Sequence, residues 1–248
     1  MGLLVLAAGS ALDAQPVALL EAAAAAGFGG IGLRLSHGRM PGPAELNRIR
    51  IRADDLGIVI HDIEVHRVGD GVDPRHLIDA TASLGAGWLL AVSDLTDETA
   101  TIDAFGALSR EAAGSNVGIG IEYMAWTTPN GPASAIRIAN ASGCVVVADV
   151  LHHHRVGAGS VDMKGIVDSG VLGWVQICDA HDTVPTDLLH EARHDRLPPG
   201  RGVIRLDEML APVGSGTVRS VEVQSEELAR MTLKDRARLL AHAATRWA

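Results

Sequence analysis

Aromatic residues are scarce in this chain, with two Phe, one Tyr and four Trp among 248 residues. The core must therefore be built mainly from Ala, Val, Leu and Ile. Cysteine is equally sparse: Cys144 and Cys178 form no CxxC pair, which argues against a disulfide framework or a zinc knuckle and reads as two small buried hydrophobes. Basic residues are outnumbered, 21 Lys and Arg against 30 Asp and Glu, for a formal charge of −9. Such a surface repels phosphate backbones and excludes nucleic acid as an expected partner. No long hydrophobic run is present. Met1 to Ala8 is apolar but short and lacks a basic leader, and Glu21 to Gly30 is too short to span a bilayer. A soluble cytoplasmic protein with no membrane association is expected.

What is present is a regular alternation of short β-branched runs and longer helical stretches, with an average period of about 31 residues that fits eight βα units. Strands are expected at Leu3–Ala7, Gly30–Ser36, Gly57–His66, Trp88–Ser93, Val117–Met124, Cys144–Leu151, Gly173–Asp179 and Arg219–Gln224. Helices are expected between them, several opened by proline (Pro16, Pro43, Pro132) or closed by glycine (Gly27, Gly57). A long loop with a short helix near Thr186–Arg193 and the punctuation Leu197-Pro198-Pro199-Gly200 interrupts the rhythm. The absence of hairpin signals argues for a parallel sheet covered by helices. The turn after the first strand, Ala8-Gly9-Ser10-Ala11, lacks the GxGxxG spacing of a doubly wound dinucleotide fold. The expected fold is one α/β domain over residues 1–248, a (β/α)8 TIM barrel.

Strand alternation then assigns directions. In a barrel, outward residues pack on helices, and inward residues near the C-terminal end face the active site. By this parity Glu122, Asp149, Gln176 and Glu222 all point inward at the same end of four consecutive strands. Three converging carboxylates repel at low dielectric, so either their pKa values rise or a cation neutralises them. The set is hard and oxygen-rich, which favours Mn²⁺ or Mg²⁺, with Co²⁺ as a further option. On strand three the same rule turns Asp62, Glu64 and His66 inward. His66 is then a candidate general base or a hydrogen-bonded structural histidine. Glu64 is expected to pair with Arg34, which could alternatively bind a substrate anion. Trp126 is a candidate wall over the substrate, or a packing residue. Arg155 could bind a substrate anion or be a solvated loop charge. In the tract His152-His153-His154, adjacent residues cannot all face one centre, and His152 is the functional candidate.

These residues also carry a wider pattern. Ala26-Gly27-Phe28-Gly29-Gly30-Ile31-Gly32-Leu33-Arg34, Gly120-Ile121-Glu122, Asp149-Val150-Leu151-His152, Val175-Gln176-Ile177-Cys178-Asp179, Arg196-Leu197-Pro198-Pro199-Gly200-Arg201-Gly202 and Val221-Glu222-Val223 occur in this order on successive units. In this the sequence resembles the xylose isomerase-like TIM-barrel superfamily, in particular its sugar phosphate isomerase/epimerase group, over essentially the whole chain. The resemblance implies that Glu122, Asp149 and Glu222 bind a divalent metal and that His152 and Arg196 contact the substrate. Gln176 stands where many sugar epimerases have a histidine ligand, and dehydratases of the 3-dehydroshikimate type look similar in using glutamine there.

The expected activity is proton transfer beside a carbonyl of a small polyhydroxy substrate through an enediolate, and the resemblance to epimerases implies Glu122 and Glu222 as both ligands and acid/base pair. A metal-dependent dehydratase acting on 3-dehydroshikimate or an inosose is the alternative. The superfamily also resembles AP endonucleases, which need a histidine-rich three-zinc cluster and a basic face. Leu89-Leu90-Ala91-Val92-Ser93 brings no histidine, and the charge balance is acidic. A non-catalytic binding protein would not require the four oxygen ligands. Relatives of this kind are often dimers or tetramers, so a homo-oligomer is a further expectation.

Overall fold

The computed structural model describes residues 2–35, 38 and 40–248. Eight parallel strands close into a barrel in sequence order, β1 (Leu4–Leu6), β2 (Gly30–Arg34), β3 (Val59–Val68), β4 (Trp88–Ser93), β5 (Gly118–Glu122), β6 (Val145–Asp149), β7 (Leu172–Ile177) and β8 (Arg219–Val221). Pairing of Leu4 with Arg219 and of Leu6 with Val221 joins the first strand to the last. The fold is thus the expected single (β/α)8 barrel. The expected end of strand two, Ser36, lies outside the described residues.

The helices follow their local signals. Proline opens α1 (Pro16–Ala26), α2 (Pro43–Leu56) and α5 (Pro132–Ser142), where a missing N–H costs nothing. Gly27 and Gly57 end the first two at φ of 90° and 65°, a left-handed turn that glycine enters without strain. Asp97 caps α4 (Glu98–Ala112) and Thr232 caps α11 (Leu233–Ala244), each side chain accepting from a backbone N–H of the first turn. Helices α3 (Arg75–Ser83) and α7 (Ser160–Asp168) complete the outer ring. The main hydrophobic core lies between barrel and helices. Among the described residues, no helix is long and apolar enough to cross a membrane.

A second apolar cluster, Leu90, Val92, Met124, Val147 and Trp174, fills the barrel itself. The strand Gly118-Ile119-Gly120-Ile121-Glu122 shows how sequence makes room for it. A Cβ on Gly118 would stand 2.3 Å from the Trp88 ring, and one on Gly120 would stand 2.4 Å from the Trp174 ring. Two inward positions are left bare for indoles, and the third inward position of the strand is Glu122. The rings of Trp174 and His61 meet edge to face at 5.1 Å below the mouth. The barrel interior is therefore filled chiefly by apolar side chains and indoles, with His61 and Asp62 among the polar residues buried below the rim.

Four short helices follow the last three strands. Helix α6 (Val150–Arg155) begins directly after β6, where the sequence pattern suggested a strand running on to Leu151. Its cause is Asp149, whose Oδ1 accepts from the backbone N–H of Leu151 at 2.8 Å and of His152 at 3.2 Å. Helix α8 (Leu188–His194) lies in the long β7–β8 connection, followed by α9 (Leu206–Leu210), and α10 (Glu226–Ala229) follows β8.

Candidate active site

A cavity of about 350 Å³ opens at the C-terminal end of the barrel. Glu122, Gln176 and Glu222 line it, as do His152, Arg196, Arg34 and Trp126. Asp149 does not line it: it is 1 % exposed and paired with the Arg196 guanidinium, which does.

Each side chain has a local reason for its place. Glu122 is the last residue of β5 and Asp149 the last of β6. Gln176 points in from β7, paired in register with Asp149 on β6 and Ser220 on β8. Glu222 follows β8, its N–H bonded to the Ile177 carbonyl at 3.0 Å. The turn after β1 supports it: Ser10 Oγ donates to the Val221 carbonyl at 2.9 Å and accepts from the Val223 N–H at 2.8 Å. Gln224 Nε2 donates to Glu222 Oε1 at 3.1 Å.

Arg196 reaches the centre from the long connection. A bridge between Asp179 and Leu197 ties the returning chain to the end of β7. Asp179 Oδ1 also accepts from the N–H of Ala180 and of Ile204, both at 2.9 Å. Held in this way, Arg196 is 2 % exposed and donates from Nη1 to Asp149 Oδ2 at 2.6 Å and from Nε to the Ala192 carbonyl at 2.7 Å. Its Nη1 lies 3.9 Å from Glu222 Oε2, and its Nη2 lies 3.4 Å from His152 Nε2. His152 Nε2 is also 3.7 Å from Glu122 Oε1, and the ring stands edge-on to Trp126 at 5.3 Å.

Burial sets the electrostatics. It pushes the Glu222 carboxyl up to about 8, with Glu64 and Asp149 adding repulsion against the opposing pull of Arg196. Burial likewise raises Glu122 well above the ordinary carboxylate range, reinforced by Glu222 and Asp149. Burial would also raise Asp149, but Arg196 and His152 outweigh it and hold that group low. Burial lowers His152 to about 4, so its ring is neutral near pH 7. Asp62, beneath the site, is raised well above its usual value by burial and by Glu64 and Glu222.

The donor set fits a cation. Ligand atoms of Glu122, Asp149 and His152 all lie within 4.8 Å of one another, so this buried triad could hold a metal ion. Gln176 Oε1 and Glu222 Oε2 are buried without a hydrogen-bond partner. Unsatisfied buried acceptors of this kind each cost about 1–3 kcal/mol, and a cation removes that cost.

Two expectations are corrected. His66 does not face the cavity. The register of β3 against β4 shifts between Ile63 and His66, which reverses the alternation. Val65 and Arg67 consequently line the mouth, while His66 lies on the helix side beside Ala104, Leu108 and Glu111. Arg155 does not line the cavity either. Its guanidinium is bonded to Glu191 on α8, at 2.8 Å from Nε and 2.5 Å from Nη2, with both side chains 3 % exposed. The expected pair of Arg34 with Glu64 is present at 3.0 Å, and it stands in the cavity wall.

Residues missed by strand parity are Gly9, Ser10, Arg67, Glu191 and Arg193. Gly9 carried a local signal, a small residue in the first βα turn. Arg67, Glu191 and Arg193 carried none, because their places depend on a bulge and on an insert.

Fold and site together define a barrel protein with a buried, oxygen-rich centre at its C-terminal mouth. The chain belongs to the xylose isomerase-like TIM barrel family, which matches residues 20–243. It is 26 % identical over 213 residues to a 3-dehydroshikimate dehydratase of Pseudomonas putida, a match covering 78 % of this chain and 33 % of that protein. Among solved structures it resembles a xylose isomerase-like TIM barrel/4-hydroxyphenylpyruvate dioxygenase fusion protein, at a TM-score of 0.83 and 22 % identity over 98 % of this chain and 42 % of the other. The chain therefore spans well under half the length of both relatives. It also resembles the IolI protein with a zinc atom, at a TM-score of 0.84 and 18 % identity over 98 % and 96 % of the two chains. A D-psicose 3-epimerase in the presence of D-fructose matches at a TM-score of 0.74 and 14 % identity over 98 % and 96 %.

Proposed function

We propose that the chain is a divalent-metal-dependent isomerase or epimerase of a polyhydroxy ketone. The observation that carries this reading is the pair of buried oxygens without a hydrogen-bond partner, Gln176 Oε1 and Glu222 Oε2, in the same cavity as Glu122 and His152. Glu122, Asp149, Gln176 and Glu222 would hold the ion. Their oxygens favour Mn²⁺ or Mg²⁺, and a contribution from His152 would bring Co²⁺ or Zn²⁺ within range. When bound, the cation supplies Lewis-acid polarisation of a ketone or hydroxyl oxygen.

The remaining roles follow from the side chains. Glu222 and Glu122 would exchange a proton with the carbon beside the carbonyl, since each is a buried carboxyl lining the cavity and a carboxyl can both accept and return a proton. Neutral His152 offers a hydrogen bond to a substrate oxygen. Arg196 steadies negative charge developing on that oxygen. Trp126 walls the mouth and keeps water from the reacting face.

A dehydratase is the second reading. It shares the proton-abstraction step and then expels a β-hydroxyl instead of returning the proton. Gln176 and the likeness to the Pseudomonas putida protein favour it. An assay with Mn²⁺ separates the two, following epimerisation of ketoses against loss of water from 3-dehydroshikimate and inosose. In either reading Glu222→Gln is expected to abolish turnover in a folded barrel. Wild-type turnover in that variant would remove the mechanism.

A further inference from the structure

We propose that the rim of the cavity is an anion subsite, centred on Arg193 and seconded by Arg67, that selects a polyhydroxy substrate bearing a carboxylate or phosphate over a neutral sugar. The inference deepens the preceding reading of this cavity as a substrate site and rests on it.

Besides His152, four arginines and one further histidine line the cavity: Arg34, Arg67, Arg193, Arg196 and His194. Four have carboxylate partners. Arg34 faces Glu64 at 3.0 Å, Arg196 faces Asp149 at 2.6 Å, and His194 Nδ1 faces Glu226 at 3.6 Å. Arg67 is held by both oxygens of Asp94, with Nε to Oδ2 at 2.8 Å. Arg193 has no ion pair among the described residues, although the protein carries nine more negative than positive charges.

Arg193 does not stand on a loose loop. Its neighbours Glu191 and Ala192 are 2 % and 4 % exposed. Glu191 is clamped by Arg155, and the Ala192 carbonyl accepts from Arg196 Nε. One helix thus presents an uncommitted guanidinium at the rim while its backbone fixes another arginine at the floor.

The chemistry of the walls makes this placement meaningful. The floor gathers Glu64, Glu122, Asp149 and Glu222 and commits Arg34 and Arg196 to two of them, so no counter-field for an anionic substrate is left there. A neutral sugar needs no counter-field. A substrate with an acid group does, and a free guanidinium supplies it through two parallel N–H donors matched to carboxylate or phosphate. Arg67 lines the same cavity from β3, its Nε and Nη2 held by Asp94. The sugar-like end of the molecule would then meet the floor and its acid group the rim.

The test is calorimetric binding to Mn²⁺-loaded protein of D-fructose, fructose 6-phosphate and 3-dehydroshikimate, for wild type, Arg193→Gln and Arg193→Lys. An anionic probe is expected to bind about tenfold or more tightly than D-fructose, as one charge-assisted bidentate contact provides. Preference for 3-dehydroshikimate identifies a carboxylate, and preference for fructose 6-phosphate a phosphate. Arg193→Gln should erase the advantage with Mn²⁺ affinity unchanged, and Arg193→Lys should restore part of it. The proposal is overturned if neither anionic probe outbinds D-fructose, absence of binding included, or if the advantage survives Arg193→Gln. Failure of the metal reading shows separately, as no Mn²⁺ uptake before any probe is added. The same probes titrated into metal-free protein then still decide the preference.

Discussion

Gly9 lies so close under Glu222 that a Cβ on it would stand 2.3 Å from Glu222 Oε1 and 2.9 Å from Gln224 Nε2. The first βα turn therefore sets the position of a carboxylate more than two hundred residues away in sequence. Gly9→Ala is expected to push Glu222 aside at a cost of about 1–3 kcal/mol in overpacking. Turnover and Mn²⁺ affinity should fall while far-UV circular dichroism stays that of a folded barrel. Unchanged Mn²⁺ affinity would mean that Glu222 can shift without consequence.

Arg196 bears on the same centre with the opposite charge. It stands 2.6 Å from Asp149 and 3.9 Å from Glu222, where it opposes a bound cation. Arg196→Gln is expected to raise Mn²⁺ affinity by about tenfold or more, from the lost repulsion at short range, while turnover collapses. A variant that loses both metal and turnover would assign Arg196 a purely structural role.

The Arg155–Glu191 pair fastens α8 to α6 out of reach of solvent. Breaking it leaves one buried charge uncompensated, which typically costs about 3–5 kcal/mol. Glu191→Gln should therefore speed amide hydrogen exchange across residues 188–194 far more than in the barrel strands. Equal protection in both proteins would show that α8 is held by its other contacts.

Acid should weaken the barrel through His61. Burial holds this histidine at about 4 in the folded protein, below its ordinary value of 6.5. The unfolded chain binds the extra proton first, so the stability from a neutral buried ring is fully present above pH 6.5 and is lost as pH falls toward 4. The whole effect is roughly 3 kcal/mol, of which roughly 2 kcal/mol falls between pH 7 and pH 5. His61→Phe keeps a ring against Trp174 and removes the titration. Urea unfolding at both pH values should show the variant losing less stability than the wild type by that amount, and an identical loss would assign the acid sensitivity elsewhere.

Much of this architecture was legible from residue order, for identifiable reasons. Prolines opening α1, α2 and α5 and glycines closing the first two mark those helices without reference to the fold. Strict alternation along β5, from Trp174 to Gln176 in β7 and at the end of β8 suffices to aim Glu122, Gln176 and Glu222 into one cavity, because the register shift of β7 against β6 falls before Trp174. The same rule fails on β3, where one register shift between Ile63 and His66 exchanges the faces and substitutes Arg67 for His66 at the mouth. It also misses α6, since an aspartate at a strand end reads as a ligand and not as a helix cap. Asp149 is placed to serve as both. The insert between β7 and β8 has no periodicity to read. Its order depends on Arg155 meeting Glu191 and Asp179 meeting Leu197 across long stretches of chain, and the location of Arg193 and Arg196 follows from those contacts.

Metal occupancy measures the central claim most directly. Protein dialysed against Mn²⁺ and then against buffer should retain close to one ion per chain by elemental analysis, and Glu122→Gln and Glu222→Gln should each lose it while remaining folded. A wild-type protein that retains no Mn²⁺, Mg²⁺, Co²⁺ or Zn²⁺ under the same treatment, or variants that bind as tightly as the wild type, would contradict the account.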